Sequence, residues 1–417
     1  MFQEKFDDDR PLEWMVLDDG IPTRTSEQQD DVLYTIYRQY KNKPNFIPKL
    51  KRDLHIEFLL KGLEKLSHHY ECLDASRPWL AYWMIHSLNL LKHPLDLNFK
   101  LRAIETLRKC RNEDGGFGGG PGQTSHLAST YAAVHCLCSL NLVEAYDVID
   151  RKKLMKWMTA LKQEDGSFCL SIGGEIDIRG LYCAISVLKL LNCDKLEFTE
   201  GEVTYSTKFL YNKSSEFIAR CQTFDGGLGC YPGVEAHGGY VFCGLAAIRL
   251  LGDSNLLNME LLTKWAVQRQ MEMEGGYQGR CNKLVDGCYC FWVGGAFPLL
   301  HLEEDIMNRE LLQKYILKAC QSPYGGCRDK PGKGVDHYHT CYVLSGLSIS
   351  QYKYNIDSRV QLSQGIPNWL FYKVEPTEET ISLKDEPDQV LIPTHPIFNI
   401  PIESVQKTYL HFSTRAE

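Results

Sequence analysis

Hydrophobic and polar residues alternate along the chain in two kinds of segment, both with the period of an α-helix. In the first kind, apolar residues recur at i, i+3, i+4 and i+7, as at Leu312, Tyr315, Ile316 and Ala319. This spacing gives a helix one apolar stripe, while its other faces remain polar. Segments of the first kind therefore predict outer helices.

The second kind of segment is apolar nearly all round and rich in Ala, Cys, Gly and Tyr, as in residues 131–140, 182–191 and 240–251. A helix without a polar face has to be buried, so these segments predict an inner layer. No alternation of Val, Ile and Thr with polar residues indicates strands. The sequence predicts an all-α fold.

Glycine-rich turns separate the two kinds of helix and recur about every fifty residues. Their first glycines stand at 115, 166, 226, 275 and 325, at intervals of 51, 60, 49 and 50. The longer interval coincides with an irregular insertion at 192–213. With a sixth unit upstream, formed by 53–66 and 77–91, the pattern predicts six helical hairpins that close into an α/α barrel.

Polar residues interrupt the apolar pattern where the inner helices begin, all at the same end of the predicted barrel. Helix capping explains the acids among them, but a cation is unfavourable at a helix N-terminus unless an anion lies nearby. The Arg and His residues therefore favour a binding pocket at this end. The six positions are Arg77, His126, Arg179, His237, Asp286 and Asp336.

Composition and charge exclude some functions. A net charge of -7 over 417 residues argues against nucleic-acid binding, and no stretch is apolar enough to insert into a membrane. The charged residues 1–10 lack the apolar core of a signal peptide. We therefore expect a cytoplasmic protein whose 16 cysteines are reduced.

Three parts are expected along the chain. Residues 1–50 form an N-terminal extension, 51–350 the catalytic barrel and 351–417 a C-terminal extension. Prolines at 367, 376, 387, 393, 396 and 401 predict that this tail packs along the barrel surface in extended form, with disorder as the alternative.

Asp286, Cys288 and His339 are the candidate metal ligands. Asp286 and Asp336 are one repeat apart, so the three residues should lie on the first turns of neighbouring inner helices. Carboxylate, thiolate and imidazole are common zinc ligands, and three protein ligands leave the fourth position open for a substrate. In a chain with 13 histidines and 16 cysteines, however, spacing alone leaves a coincidence open.

Several motifs resemble one enzyme family. Residues 276–289, which contain Arg280, Lys283, Asp286 and Cys288, closely resemble the β subunits of protein farnesyltransferase, and so do residues 336–342. The segments 76–83, 115–122 and 235–240 resemble the same family, and the likeness covers all six units.

The resemblance implies one catalytic zinc on Asp286, Cys288 and His339. It also implies that a protein thiolate from a C-terminal Cys-a-a-X box displaces diphosphate from farnesyl diphosphate. An α subunit, expected as an obligate partner, would contribute a lysine to the site. Asp329 is expected to contact a magnesium ion that assists the diphosphate.

Further roles follow from the same resemblance. Without it, the sequence would predict that the aromatic residues belong to the core and that Arg280 and Lys283 are solvated. The expected diphosphate contacts are His237, Arg280, Lys283 and Tyr289, of which Lys283 and Tyr289 also count as catalytic. The expected prenyl contacts are Arg179, Tyr182, Gly239, Tyr240, Cys243 and Trp292. The residues expected to contact the peptide or to limit pocket depth are Trp79, Trp83, Tyr338 and Tyr342.

Three alternatives compete with farnesyl transfer. Type I geranylgeranyltransferase β subunits carry a smaller residue in place of Trp79, and Asp329 also follows the farnesyl pattern. A terpene cyclase would need Asp-rich motifs, but the acidic run at 7–9 lies outside the repeats. A non-enzymatic α/α toroid remains the third hypothesis if the metal trio is fortuitous.

Overall fold

Six pairs of helices form the repeated part of the chain. A computed structural model describes Ile21 and residues 23–42, 47–302, 305–356, 367–383 and 385–415. An N-terminal helix, α1 (Arg24–Asn42), precedes the pairs. In chain order, with the outer member first, the pairs are α2 (Arg52–Glu64) with α3 (Arg77–Leu90), α4 (Leu97–Cys110) with α5 (Leu127–Ser139), α7 (Arg151–Leu161) with α8 (Ile178–Leu190), α10 (Ser214–Arg220) with α11 (Gly238–Leu251), α12 (Met259–Val267) with α13 (Tyr289–Trp292) and α14 (Phe297–Leu300), and α15 (Arg309–Tyr315) with α16 (His337–Gln351). Outside the pairs lie α6 (Val143–Tyr146), α9 (Thr207–Tyr211), α17 (Glu378–Ser382) and α18 (Ile402–Thr414).

The inner helices close into a ring. Each packs against the next, and α16 packs against α3. The glycine turn of the last repeat packs against the first outer helix and so also closes the ring. The contact is so close that a Cβ atom at Gly325 would lie 2.2 Å from the carbonyl oxygen of Leu54. Because Gly325 also has a φ of +92°, only glycine fits this turn without strain. The predicted α/α barrel of six hairpins is confirmed.

The fifth inner helix is broken. Its first piece, α13, ends at Trp292, a 3-10 turn spans Gly294–Ala296, and α14 begins at Phe297. Two successive glycines and Pro298 explain the break, because glycine weakens a helix interior and proline favours the first turn of a new helix. The inner helix of the fifth pair therefore begins with a short piece, α13, which lies at the barrel mouth just after Asp286.

The all-α fold class is confirmed, although three short antiparallel hairpins that the sequence does not predict are present among the described residues. Strands of two, three or five residues are too short to produce a clear alternating sequence pattern. The first hairpin lies in the insertion at 192–213, and the second leads into α16. The pairs are β1 (Phe198–Glu200) with β2 (Val203–Tyr205), β3 (Cys327–Arg328) with β4 (Val335–Asp336), and β5 (Tyr352–Ile356) with β6 (Tyr372–Pro376).

The C-terminal tail closes the interior of the ring, so the prediction that it extends along the surface is wrong. It enters at the carboxyl ends of the inner helices, where the amide of Ile392 donates to the carbonyl of Leu90 at 3.1 Å. Further in, the hydroxyls of Tyr82, Tyr131 and Tyr182 donate to the three successive carbonyls of residues 399, 398 and 397, at 2.7, 3.2 and 2.6 Å. The tail then ends in helix α18 rather than in an extended segment.

The N-terminal extension contributes α1, which packs on the outside of the barrel through Ile36 and Tyr40. The acidic run at 7–9 lies outside the described residues. The division of the chain at residues 50 and 350 stays a prediction. Within the described ranges, no helix is both long enough and apolar enough to cross a bilayer.

Candidate active site

Asp286, Cys288 and His339 meet at the N-termini of two neighbouring inner helices. Asp286 lies just before α13, Cys288 is its N-cap residue and His339 lies in the first turn of α16. One ligand atom from each residue lies within 4.8 Å of the other two. The structure thus brings together the three residues that the sequence predicts as zinc ligands.

A fourth residue, Asp336, fixes the orientation of the imidazole. Its Oδ2 atom accepts a hydrogen bond from Nδ1 of His339 at 2.6 Å, and its Oδ1 atom accepts from the backbone amide of His339 at 2.6 Å. Nε2 of His339 therefore faces Asp286, 3.2 Å from Oδ1. The sequence predicts Asp336 only as a helix cap; an acid three residues before a candidate histidine ligand is the signal that points to this second role.

The electrostatics of the trio suit a cation. Burial opposes charge on His339, but its hydrogen bonds to Asp286 and Asp336 raise its pKa well above the usual value. Burial likewise raises the pKa of the Cys288 thiol, and the charge of Asp286 raises it further. A divalent cation reverses both effects, because it replaces the proton on the imidazole and on the thiol. The donor set fits zinc, which binds imidazole, thiolate and carboxylate.

His237 and Tyr289 form a hydrogen-bonded pair beside the trio. Nδ1 of His237 accepts from the amide of Gly239 at 3.1 Å, so Nε2 carries the proton and lies 3.0 Å from the hydroxyl of Tyr289. The Tyr289 ring lies against Gly279, where a Cβ atom would be 2.1 Å from Cζ. Nε2–H of His237 therefore donates to the oxygen of Tyr289, which leaves the O–H group of Tyr289 as a donor at the mouth.

Two histidines correct an expectation about the helix starts. His126 and His237 both cap their inner helices through Nδ1, which accepts a backbone N–H at 3.1 Å. Burial lowers the pKa of each ring below its usual value, so each caps as a neutral acceptor. The objection that a cation disfavours this position does not apply to a neutral imidazole.

Arg280 and Lys283 lie on the loop that precedes α13. Nη1 of Arg280 forms an ion pair with Glu235 at 2.7 Å, and both side chains are about half exposed. The backbone carbonyl of Lys283 accepts from Gln29 at 3.2 Å, whereas its ammonium group forms no ion pair with any described residue. One cation of this loop is thus held by an exchangeable surface pair and the other is available to an anion.

Asp329, the predicted magnesium contact, lies beside Lys330, whose ammonium group binds its carboxylate. Burial and the charge of Asp286 raise the pKa of Asp329 above its usual value. Its backbone carbonyl accepts from Gly287 at 2.7 Å and from Tyr315 at 3.0 Å. These bonds hold Asp329 close to the metal trio, while its role toward magnesium stays a prediction.

A chain of aromatic rings lines the barrel interior. Trp292 packs against Tyr342 at 4.5 Å between centroids, and its Nε1 atom donates to the hydroxyl of Tyr338 at 3.1 Å. Tyr338 in turn lies 5.4 Å from Trp83, which lies 5.8 Å from Trp79. The predicted prenyl and peptide residues thus form one apolar wall from α13 through α16 to α3.

The wall continues through a residue that the sequence predicts only as part of an inner helix. The Tyr131 ring lies 5.6 Å from Trp79 and 5.3 Å from Tyr182. Because its hydroxyl also bonds to the tail, Tyr131 links the predicted depth residue Trp79 to the closed end of the ring.

The remaining predicted prenyl residues lie on α8 and α11. Asp177 holds Arg179 through both carboxylate oxygens, with Nε at 3.1 and 3.0 Å. Tyr240 lies against the His237 ring, 5.1 Å between centroids, and Cys243 is buried in the next turn of α11. Arg179 thus enters the site with a counter-ion already in place.

Comparisons with known proteins agree with this geometry. The family model described as the prenyltransferase alpha-alpha toroid domain matches residues 50–400. The protein farnesyltransferase subunit beta of Pyricularia oryzae is 38% identical over an alignment that covers 95% of this chain and 82% of that protein. The chain belongs to the protein prenyltransferase β-subunit family. The resemblance found in the sequence motifs is therefore confirmed, and this prenyltransferase β subunit is part of an enzyme that transfers a prenyl group.

Two further comparisons mark the limits of that identification. The geranylgeranyl transferase type-1 subunit beta of Arabidopsis thaliana is 32% identical over 72% of this chain and 84% of that protein. The solved structure of Candida albicans protein geranylgeranyltransferase-I, complexed with GGPP, matches with a TM-score of 0.65 at 20% identity, over 86% of this chain and 98% of that chain. At this identity the structural match shows a shared fold alone.

Proposed function

We propose that this chain is the catalytic β subunit of a protein farnesyltransferase, which transfers farnesyl from farnesyl diphosphate to the cysteine thiolate of a C-terminal Cys-a-a-X box. The convergence of Asp286, Cys288 and His339 within 4.8 Å carries the proposal. The trio lies beside His237 and Tyr289, so one site combines ligands for a metal with donors for a leaving diphosphate.

Asp286, Cys288 and His339 would hold zinc. A zinc ion there would stabilise the thiolate of the incoming cysteine, which is the nucleophilic form of a thiol. Asp336 keeps Nε2 of His339 in the ligand position through the bond at Nδ1. Because these residues supply three ligands, a fourth position would remain for the substrate sulfur.

Negative charge builds on the diphosphate as its bond to the prenyl carbon breaks. Preorganised donors stabilise that charge most effectively because they need no reorganisation during the reaction. The hydroxyl of Tyr289 is such a donor, because Nε2–H of His237 donates to its oxygen and orients it, and His237 would itself reach the diphosphate by releasing Tyr289. Arg280 and Lys283 add positive charge from the adjoining loop. Arg280 exchanges Glu235 for the diphosphate at little cost, since an exposed ion pair contributes about 1 kcal/mol or less.

Magnesium is the second metal of the proposal, with Asp329 as its contact near the diphosphate. Lys330 binds the carboxylate of Asp329, so magnesium has to displace that ammonium group or share the carboxylate with it. Asp329 is otherwise well oriented, because two hydrogen bonds hold its backbone carbonyl.

The aromatic wall would bind the prenyl chain and exclude water from it. Trp292 and Tyr342 supply large apolar faces at low entropic cost, and Trp79 with Tyr131 limits the depth at the far side. This limit favours the fifteen-carbon donor. The alternative is a type I geranylgeranyltransferase β subunit, whose pocket would have to extend past Trp79.

Three further parts of the proposal concern the surroundings of the enzyme. An α subunit completes the enzyme as an obligate heterodimer and supplies a lysine to the site. The heterodimer acts in the cytoplasm on protein substrates, and neither nucleic acid nor insertion into a membrane is part of its function.

The test is to co-purify the chain with an α subunit, measure bound zinc, and assay a Cys-a-a-X peptide with both prenyl diphosphates. We expect one zinc per heterodimer and faster transfer of farnesyl than of geranylgeranyl. Cys288→Ala should lose zinc and peptide prenylation but still bind the donor. Cys290→Ala, which alters a buried cysteine of the same helix, should keep both bound zinc and peptide prenylation. Full activity in Cys288→Ala would falsify the zinc assignment.

A further inference from the structure

Helix α1 contacts the loop of the fifth repeat at two points. Near its start, Nε2 of Gln29 donates to the backbone carbonyl of Lys283 at 3.2 Å. Near its end, the hydroxyl of Tyr40 donates to the backbone carbonyl of Glu274 at 2.7 Å. The chain between these two carbonyls, residues 274–283, leads directly into the metal trio. A helix from outside the six repeats thus spans the loop that carries the candidate diphosphate cations.

The Tyr40 end of the helix is firmly held. Tyr40 is 7% exposed and Ile36 is 1% exposed. The ammonium groups of Lys314 and Lys318 lie 4.2 and 5.3 Å from the centroid of the Tyr40 ring. Gln29 and Tyr40 are eleven positions apart, which is roughly 16 Å of helix. Because both residues lie on one helix, the buried end fixes where the backbone of Gln29 lies relative to the loop.

The tip of the loop has few other contacts. The two sides of the loop pair last between Gln278 and Val285, and residues 280–282 beyond this pair are exposed. Asn282 has a φ of +56°, as expected for a tight turn. Among the described residues, the tip is held by the bond from Arg280 to Glu235, the bond from Arg269 to Cys281 and the bond from Gln29 to Lys283. The bond from Gln29 is the one that acts on the backbone of Lys283.

We propose that α1 is a strut that holds Lys283 in place for diphosphate, with Gln29 as the positioning residue. The inference rests on the proposed function, since it takes the diphosphate end of a prenyl donor as the ligand. An unsupported loop has to be ordered each time an anion binds, and that ordering weakens binding. A loop already held by Gln29 avoids this loss and presents its cation in the orientation that the leaving group needs.

The test compares two neighbouring glutamines of α1 in the zinc-loaded heterodimer. Gln29→Ala removes the bond to Lys283, whereas Gln28→Ala changes an exposed side chain on the same helix. Affinities are measured by calorimetry for inorganic diphosphate and for farnesyl diphosphate. We expect Gln29→Ala to weaken both by about three- to tenfold, the range of one lost hydrogen bond. The peptide KM, the zinc content and the thermal midpoint should stay unchanged, as should every value for Gln28→Ala.

A double-mutant cycle tests whether Gln29 acts through Lys283. In the background of Lys283→Ala, Gln29→Ala should cause no further loss of diphosphate affinity, since the group it positions is gone. An unchanged affinity in Gln29→Ala overturns the inference, and so does an equal loss in Gln28→Ala or an additive loss in the double variant. If the unaltered heterodimer fails to bind farnesyl diphosphate, the proposed function itself is wrong. The affinity of each variant is therefore compared with the affinity measured for the unaltered heterodimer.

Discussion

Asp336 accepts the Nδ1 proton of His339 at 2.6 Å and thereby leaves the other ring nitrogen facing Asp286 in the candidate metal site. The same carboxylate caps the helix that carries His339, so one residue fixes both the backbone and the ring. A ligand held in a single orientation loses little entropy when the metal binds, and a carboxylate at Nδ1 also makes Nε2 more basic. Asp336 should therefore raise zinc affinity without touching the metal.

Asp336→Asn is expected to lower zinc affinity by about 10- to 100-fold. The amide still accepts one hydrogen bond and can keep the cap, but it cannot serve the backbone and the ring as a carboxylate does. Zinc affinity is measured by competition with a chromophoric chelator. Asp150→Asn, which alters the cap of an outer helix far from the metal trio, is the control. If the unaltered protein and both variants bind zinc equally well, Asp336 has no role in the metal site.

Phe398→Ala should destabilise the folded chain by about 3–5 kcal/mol, the usual cost of removing a buried aromatic ring. Phe398 is 0% exposed and packs among Trp369, His395 and His135. Phe209→Ala, at a site 51% exposed, should change the free energy of unfolding by less than about 0.5 kcal/mol. Both changes in the free energy of unfolding are to be measured by urea unfolding of the zinc-loaded heterodimer. Similar small effects at the two sites would mean that the tail does not close the ring in solution.

The layers of the barrel could be predicted from the sequence, because apolar periodicity distinguishes helices with a solvent-exposed polar face from helices that have none. Leu312 and Tyr315 on an outer helix illustrate the first pattern, and residues 131–140 illustrate the second. The turn spacing gave the repeat number, since each turn needs glycine where it meets the next outer helix. The metal trio followed from spacing together with the family resemblance.

Other features depend on contacts that no local pattern encodes. The tail is rich in proline, which is typical of exposed segments, yet its carbonyls lie within reach of Tyr82, Tyr131 and Tyr182. Capping by His126 depends on its surroundings in the fold, because burial and the charge of Arg179 lower the pKa of the ring and keep it neutral. The bond from Gln29 to the loop joins residues 254 positions apart and leaves no trace in the repeat.

Trp79→Thr combined with Tyr342→Phe is expected to shift donor preference from farnesyl toward geranylgeranyl diphosphate. Trp79 packs on Tyr131 at the far side of the wall, so a smaller side chain opens room for one more isoprene unit. The loss of the Tyr342 hydroxyl makes the same wall less polar. The ratio of the two products in a competition assay measures the shift. Trp157→Phe, at a buried site on outer helix α7, is the control, and an unchanged ratio in the double variant contradicts the pocket-depth argument.

Glu274 should make the folded chain less stable as pH rises toward neutrality. Burial raises the pKa of its carboxyl from 4.5 to about 7. Between these values the unfolded chain has already lost a proton that the folded chain retains, so the free energy of unfolding falls as pH increases and stays low above pH 7. A shift of this size corresponds to about 3 kcal/mol as an order of magnitude.

Glu274→Gln removes this titration and keeps the size and polarity of the side chain. We expect the variant to be more stable than the unaltered heterodimer at pH 8, by up to about 3 kcal/mol, and to show little difference at pH 5. Urea unfolding at both pH values measures the effect. Glu272→Gln, an exposed acid in the same turn, should follow the unaltered protein throughout. A gain from Glu274→Gln that is equal at the two pH values would show that packing, rather than the buried charge, limits stability at this turn.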